Sequence, residues 1–204
     1  MLTLGNLAAE AQQLRPDMES LSSAIFEHPE LAFNERFASA SIAERLQARG
    51  FAVERPYGGL ETSFAARVGT GGPHLGLLLE YDALPEIGHA CGHNLIAAGG
   101  VLAASLIAEH LQAGSGRLSV IGTPAEEGGG GKVKLLDAGA FEGLDAVMMF
   151  HPADRTLPWR HALAAAHLRV QFHGKAAHAA KSPEQGRSAL AAMLPPGARI
   201  LGCY

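Results

Sequence analysis

Three short apolar segments, each followed at once by a cluster of polar residues, constrain the fold of this chain most strongly. The segments are His74–Tyr81, Arg117–Gly122 and Leu144–Phe150. Their length and continuous apolar character are typical of buried strands, and segments with helical spacing lie between them. Apolar strands that alternate with helices predict an α/β domain with a mixed, largely parallel sheet and flanking helices.

The remaining elements follow from apolar periodicity and from helix-ending residues. Asn34 is predicted as the N-cap of the second helix, and Gly50 as the residue just after its end. Beyond about residue 155 the pattern changes, which suggests a second domain. Helices are predicted at 5–27, 35–49, 94–112, 132–137 and 186–193, and further strands at 51–54, 63–68 and 162–173.

Composition and charge argue against several classes of protein. The formal net charge is −4, so the chain lacks the basic footprint of a nucleic-acid-binding protein. The longest apolar stretch, 94–108, contains glycines and is too short to span a membrane. The first residues lack the features of a signal peptide, and two cysteines cannot form a disulfide framework. We therefore expect a soluble cytoplasmic protein without nucleic-acid or membrane partners.

The polar clusters after the three apolar segments are predicted to meet at one place. They read EYDALPEIGHACGHN at 80–94, TPAEE at 123–127 and FHP at 150–152. In open α/β sheets, ligands bind in the crevice outside the carboxyl ends of the strands. Three polar clusters at three such ends can therefore form a single site.

Two pairs of residues in these clusters suggest metal chemistry. Cys91 and His93 offer a thiolate and an imidazole, which favour zinc-like metals over magnesium. Of the adjacent Glu126 and Glu127, one can ligate a metal while the other acts as a general base. Each pair also has a plainer interpretation: a buried cysteine beside a helix-starting histidine, and a solvated acidic loop.

Single residues near these pairs have open interpretations. His151 is either a further metal ligand or a core histidine. Asp82 either orients a ligating histidine or caps a turn, and His89 either approaches the metals or only shapes its loop. Taken together, the clusters suggest metal-assisted hydrolysis, in which two cations about 3.5–4 Å apart share a water and Glu126 takes its proton.

Three long segments in this order resemble a known family. They are YDALPEIGHACGHN, the stretch from GTPAEEGGGGK through AGAFEGLDAVMMFHP, and FHGKAAHAAKSPEQGRSAL. The chain from about residue 15 to residue 192 resembles the M-twenty metallopeptidase family. Within it, the likeness is to the amidohydrolase branch, which includes p-aminobenzoyl-glutamate hydrolase and aminoacylase-1-like dipeptidases. The resemblance implies a zinc-peptidase-like catalytic domain that holds two divalent ions of zinc, manganese or cobalt.

The resemblance also implies a role for each matching residue. Glu126 would be the general base, and Asp82 would orient a ligand. Cys91 would bridge the two metals. The implied ligand set is Cys91, His93, Glu127 and His151.

A histidine outside the three strand ends also matches the family. His178, in GKAAHA, matches a histidine of an inserted lid domain. In dimeric relatives this residue reaches the partner's active site and stabilises either the oxyanion or the substrate carboxylate. The resemblance therefore implies that full-length relatives are homodimers. It assigns 1–158 to the N-terminal part of the catalytic domain and 159–204 to an incomplete lid and dimerisation domain.

The length and the final residues depart from the family pattern. Family members are about twice as long, and a returning segment supplies one more metal-binding histidine. Here the chain turns instead into LPPGARILGCY. We expect from this a C-terminal truncation.

Three functional hypotheses follow. The first is a metal-dependent amidohydrolase that cleaves an amide or peptide bond of an N-acyl amino acid or small dipeptide. The second is an impaired fragment that binds metal weakly or pairs with a full-length relative. The third is a hydrolase that uses Cys91 as its nucleophile, activated by a nearby histidine. This last hypothesis leaves the glutamate pair and His151 without a role.

Overall fold

The computed structural model describes residues 4–159 and 168–194. No helix in these two ranges is both long and apolar enough to cross a membrane. The helices are α1 Leu4–Glu27, α2 Arg36–Ala48, α3 His93–His110, α4 Gly131–Asp137 and α5 Ala189–Met193, with a 3₁₀ turn at Pro183–Gln185. The strands are β1 Ala52–Glu54, β2 Phe64–Thr70, β3 His74–Leu79, β4 Gly116–Gly122 and β5 Ala146–Met148.

One mixed sheet contains the five strands in the order β1-β2-β4-β3-β5. Strand β3 runs parallel to both β4 and β5, whereas β2 is antiparallel to β1 and to β4. The predicted mixed α/β class with flanking helices is confirmed. In the parallel pair, Leu79 lies opposite Gly122, so β3 and β4 end at the same edge of the sheet.

Apolar side chains cover both faces of the sheet. Successive residues of a strand point to opposite faces, and Val120 and Ile121 accordingly belong to two different apolar clusters. The larger cluster contains residues of α1, α2 and α3, among them Leu21 and Leu46, which are fully buried. The smaller cluster includes Leu135 of α4. The helices on the two faces hold the strand ends in place, and those ends carry the polar clusters.

The start of α2 differs from its prediction. Asn34 does not cap this helix, because its side chain donates to the backbone oxygen of Ala32. Glu30 does so instead. Its carboxylate accepts from the backbone N–H groups of Phe37 and Ala38, at 2.9 and 3.0 Å. A carboxylate at this position also interacts favourably with the helix dipole. Gly50 has a φ of 87°, as predicted for a residue just after a helix end.

Strand β5 is shorter and more exposed than predicted. We expected a buried strand over 144–150, but only Ala146–Met148 is a strand. Val147, Met148 and Phe150 are 45–48% exposed. The physical reason is position: β5 is the last strand of the sheet and pairs only with β3 among the described strands. A continuous apolar run does not distinguish a central strand from an edge strand.

The chain divides into two compact units, Met1–Thr156 and Leu157–Tyr204. In the second unit, the backbones of Lys175 and Arg187 exchange two hydrogen bonds of 2.9 Å. Helix α5 begins three residues later than predicted, and the Ser188 hydroxyl accepts from the Ala191 N–H at its start. Of the strand predicted at 162–173, residues 162–167 lie outside the described residues. Residues 168–173 do not form a strand, so that part of the prediction was wrong.

Candidate metal centre

The three polar clusters lie together at one edge of the sheet. Glu80 and Asp82 follow β3, and the segment 123–127 follows β4. The Thr123 N–H donates to the Leu79 carbonyl at 2.8 Å, which fixes the two strand ends side by side. His93 begins α3 and faces both segments, as the convergence of strand ends predicts.

His93 occupies the middle of this site. Its side chain is 1% exposed, and its Nδ1 lies 2.9 Å from Asp82 Oδ1 and 3.0 Å from the Asp82 backbone oxygen. Both of these neighbours are acceptors, so Nδ1 carries the proton when the ring is neutral. The lone pair of Nε2 then points away from Asp82, and Nε2 has no hydrogen-bond partner in the described part of the chain.

Three further carboxylates surround this nitrogen. Nε2 lies 3.3 Å from Glu80 Oε2, 3.7 Å from Glu127 Oε1 and 3.9 Å from Glu126 Oε2. The Glu80 and Glu127 oxygens also lack hydrogen-bond partners among the described residues. Buried polar atoms without partners are rare and costly, and a cation between them would satisfy all three.

The electrostatics of the site favour positive charge. Burial lowers the pKa of His93, but the hydrogen bond to Asp82 and the negative charges of Glu80 and Glu127 outweigh burial and raise that pKa. The carboxylates therefore stabilise a cationic imidazole when no metal is bound. A divalent cation at Nε2 would serve the same electrostatic purpose and displace the second proton.

Two sets of side chains could hold a metal ion here. Ligand atoms of Cys91, His93 and Glu127 lie within 4.8 Å of one another, and so do those of Glu80, His93 and His151. The first set combines thiolate, imidazole and carboxylate, which suits zinc-like metals. The His151 ring stands edge-on to that of His93, with centroids 5.9 Å apart. Its Nδ1 donates to the Pro152 oxygen at 2.8 Å, which leaves Nε2 free for a metal. The types of ligand atom and the buried atoms without hydrogen-bond partners are thus both consistent with a bound metal ion.

Asp82 connects two of these side chains. One of its oxygens accepts from His93, and the other accepts from the Glu127 N–H at 2.9 Å. Burial raises the pKa of Asp82, but these hydrogen bonds and the charge of His93 together lower it. Asp82 is therefore a carboxylate that fixes the orientation of the imidazole and the position of the glutamate backbone.

A second buried carboxylate, Glu35, holds the loop after β4. Its oxygens accept from the Ala125 N–H and from the Thr62 hydroxyl, both at 2.8 Å. Ala125 is fully buried and has a φ of 59°, a left-handed conformation that is uncommon for residues other than glycine. This conformation persists only where its surroundings determine it. Glu35 is one of those constraints, and the loop it holds presents Glu126 and Glu127.

The pKa values of two site residues bear on their chemistry. Burial, followed by the negative charge of Glu80, raises the pKa of Glu126 above its ordinary value, so this carboxylate accepts a proton more readily than a solvated glutamate does. A hydrogen bond to Glu127, together with burial, raises the pKa of Cys91 to about 11. A thiol of this kind is protonated at neutral pH, and it must lose that proton to act either as a nucleophile or as a metal ligand. The partnerless atoms of His93, Glu80 and Glu127, rather than this pKa, favour the metal hypothesis.

Two predicted residues are not part of either ligand set. His89 is buried near the Phe26 ring, with centroids 6.5 Å apart. His178 lies in the second compact unit, exposed, where its Nδ1 accepts from the N–H groups of Ala180 and Lys181. Its role at the active site stays a prediction.

Sequence reasoning missed Glu80 and its partner Lys132. Glu80 was included in a polar cluster without a role of its own. The signal was present in the sequence, because a glutamate directly after LGLLL continues a buried strand. A carboxylate in that position needs a partner.

The chain is similar to metal-dependent hydrolases in sequence and in fold. Residues 77–193, more than half of the chain, match the family model of Peptidase family M20/M25/M40. Mouse Xaa-Arg dipeptidase is 42% identical over 186 residues, and one of the subunits of p-aminobenzoyl-glutamate hydrolase from Escherichia coli K12 is 35% identical over 206 residues. These alignments cover 84% and 91% of this chain.

The crystal structure of a Bacillus subtilis dinuclear metal-binding peptidase from the M20 family has a similar fold. It superposes with a TM-score of 0.61 at 26% identity, and the match covers 67% of this chain and 42% of the Bacillus protein. The chain spans 43% of the mouse protein and 42% of the Escherichia coli protein. The predicted resemblance is confirmed, and the chain belongs to Peptidase family M20/M25/M40.

Proposed function

We propose that this chain carries the metal centre of a hydrolase that cleaves the amide or peptide bond of an N-acyl amino acid or small dipeptide. The observation that supports this most strongly is the group of three buried atoms without partners, His93 Nε2, Glu80 Oε2 and Glu127 Oε1. The names of the relatives support the substrate class, because dipeptides and p-aminobenzoyl-glutamate both contain an amide bond.

The proposed metal ligands are those that the family resemblance implies. Cys91, His93, Glu127 and His151 would hold two divalent ions of zinc, manganese or cobalt. Such ions polarise a carbonyl group and lower the pKa of water. Asp82 keeps the proton on His93 Nδ1, so that Nε2 remains available.

Glu126 is the proposed general base. Its side chain is 42% exposed, and its Oε2 lies 3.9 Å from His93 Nε2, so it can reach both solvent and the metal centre. Its raised pKa suits the transfer of a proton from the attacking water to the leaving nitrogen. In a dimer, His178 would donate from Nε2 to the developing oxyanion, because its Nδ1 already accepts two backbone N–H groups.

Hydrolysis assays test this proposal. Xaa-Arg dipeptides, p-aminobenzoyl-glutamate and N-acetyl amino acids are incubated with the metal-loaded chain, with and without a chelator. We expect chelator-sensitive turnover that Glu126→Gln reduces by about 10²–10⁴-fold. Glu61→Gln is the control, because Glu61 is an exposed partner of Arg36. Turnover that survives chelation contradicts the metal mechanism. Stoichiometric metal binding without turnover supports the alternative of an impaired metal-binding chain.

A further inference from the structure

Glu80 is a buried carboxylate with only one of its oxygens paired. It follows the last residue of β3, and its side chain is 1% exposed. Its Oε1 accepts a hydrogen bond from the Lys132 ammonium group in the first turn of α4. Its Oε2 has no hydrogen-bond partner among the described residues and lies 3.3 Å from His93 Nε2, which also lacks one.

A structural salt bridge explains only half of this arrangement. The ion pair with Lys132 accounts for Oε1 and for part of the charge of Glu80. When the imidazole is neutral, Oε2 remains buried and unpaired beside the lone pair of Nε2, which repels a carboxylate oxygen. Burial of an unpaired carboxylate oxygen is strongly unfavourable, so the arrangement requires a cation or a proton between the two atoms.

The distance between these atoms fits two ligands of one metal ion. In a tetrahedral site with bonds of about 2.0–2.1 Å, two ligand atoms lie about 3.3–3.4 Å apart. The observed separation of Glu80 Oε2 and His93 Nε2 is 3.3 Å. Ligand atoms of Glu80, His93 and His151 all lie within 4.8 Å of one another, so a third ligand is within reach.

We infer that Glu80 is a metal ligand in addition to the four implied by the family resemblance, and that Lys132 positions it. This inference rests on the proposed metal centre. Lys132 holds Oε1, and this turns Oε2 toward the ion that His93 binds. The Lys132 side chain is 29% exposed. Its positive charge offsets one of the four negative charges that the carboxylates bring close to the His93 imidazole. A carboxylate fixed in this way loses little freedom when the metal binds.

Cobalt(II) titration, followed by visible absorbance and by calorimetry, tests the inference. We expect Glu80→Gln to weaken cobalt binding at least 10-fold more than Glu126→Gln does, and to change the d–d bands of the bound ion. Glu126→Gln is the matched control, since it removes a carboxylate that is also within 4 Å of His93 Nε2. It should leave the bands unchanged. Equal losses of affinity with unchanged bands mean that Glu80 acts only through its charge, and this overturns the inference.

A second variant covers the case in which Glu80→Gln does not fold. Lys132→Met leaves Glu80 in place without its ammonium partner. The metal-free variant should then be less stable, and cobalt should raise its melting temperature by less than it raises that of the wild type, because Glu80 is no longer held toward the ion. An equal or larger rise in the variant overturns the inference. Failure of the wild type to bind cobalt overturns the proposed metal centre itself, so the two failures are distinguishable.

Discussion

The replacement of Glu35 tests how the loop that carries Glu126 and Glu127 is held. Glu35→Ala leaves the buried Ala125 N–H and the buried Thr62 hydroxyl without their acceptor. Each buried polar group that loses its partner costs about 1–3 kcal/mol. The variant no longer buries a carboxylate, which offsets part of this cost. We therefore expect the free energy of unfolding to fall by about 2–4 kcal/mol.

Glu35→Gln is the matched variant for this experiment. Its amide oxygen can accept from the Ala125 N–H, and its NH₂ group can donate to the Thr62 hydroxyl. We expect a loss of no more than about 1 kcal/mol. Urea unfolding with a chelator present measures both variants without any contribution from metal, and an unchanged m-value shows that only stability has changed. Equal losses for the two variants, or a loss below about 1 kcal/mol for Glu35→Ala, would refute the assigned role of these hydrogen bonds.

Three more perturbations have defined outcomes. Asp82→Ala should weaken zinc binding about 10–100-fold by calorimetry, because the His93 imidazole, a proposed ligand, loses the acceptor that orients it; unchanged affinity contradicts this role. A Cβ at Gly131 would overlap the backbone oxygen of Pro124, whereas nothing lies within 4 Å of one at Gly128. Gly131→Ala should therefore cost about 1–3 kcal/mol in urea unfolding and Gly128→Ala less than about 0.5 kcal/mol, and equal costs count against the packing described. Burial raises the pKa of Glu35 above its ordinary value of 4.5. Protonation of Glu35 therefore stabilises the folded state relative to the unfolded state. That contribution is complete below pH 4.5 and is lost as the pH rises through the raised pKa, so wild-type stability relative to Glu35→Gln should fall across this window. A stability difference between the two proteins that does not change with pH would refute the raised pKa of Glu35.

The sequence alone was sufficient to predict the central strands and the convergence of their polar ends. The apolar run before Glu80 and the apolar run 117–122 are continuous and short, and they form the parallel pair β3 and β4. Parallel strands with both faces covered have this composition because helices pack on each side. Asp82 lies beside His93, which agrees with one of the two interpretations that the sequence left open for it, the carboxylate that orients a histidine.

Other features depend on contacts between residues distant in sequence. Glu30 caps α2 from outside the helix, and no local pattern distinguishes it from Asn34, which has the more common N-cap side chain. Lys132 pairs with a residue 52 positions earlier. The exposure of β5 depends on its place at the end of the sheet rather than on its apolar residues. Such features become visible only when tertiary contacts are known.

X-ray absorption at the zinc edge of the zinc-loaded chain tests the central claim most directly. We predict a sulfur neighbour at about 2.3 Å together with nitrogen and oxygen neighbours at about 2.0–2.1 Å. The sulfur signal should persist in Cys203→Ser and disappear in Cys91→Ser, because the chain has only these two cysteines. A zinc ion without a sulfur neighbour, or a sulfur signal that disappears only in Cys203→Ser, would contradict a metal centre built around Cys91 and His93.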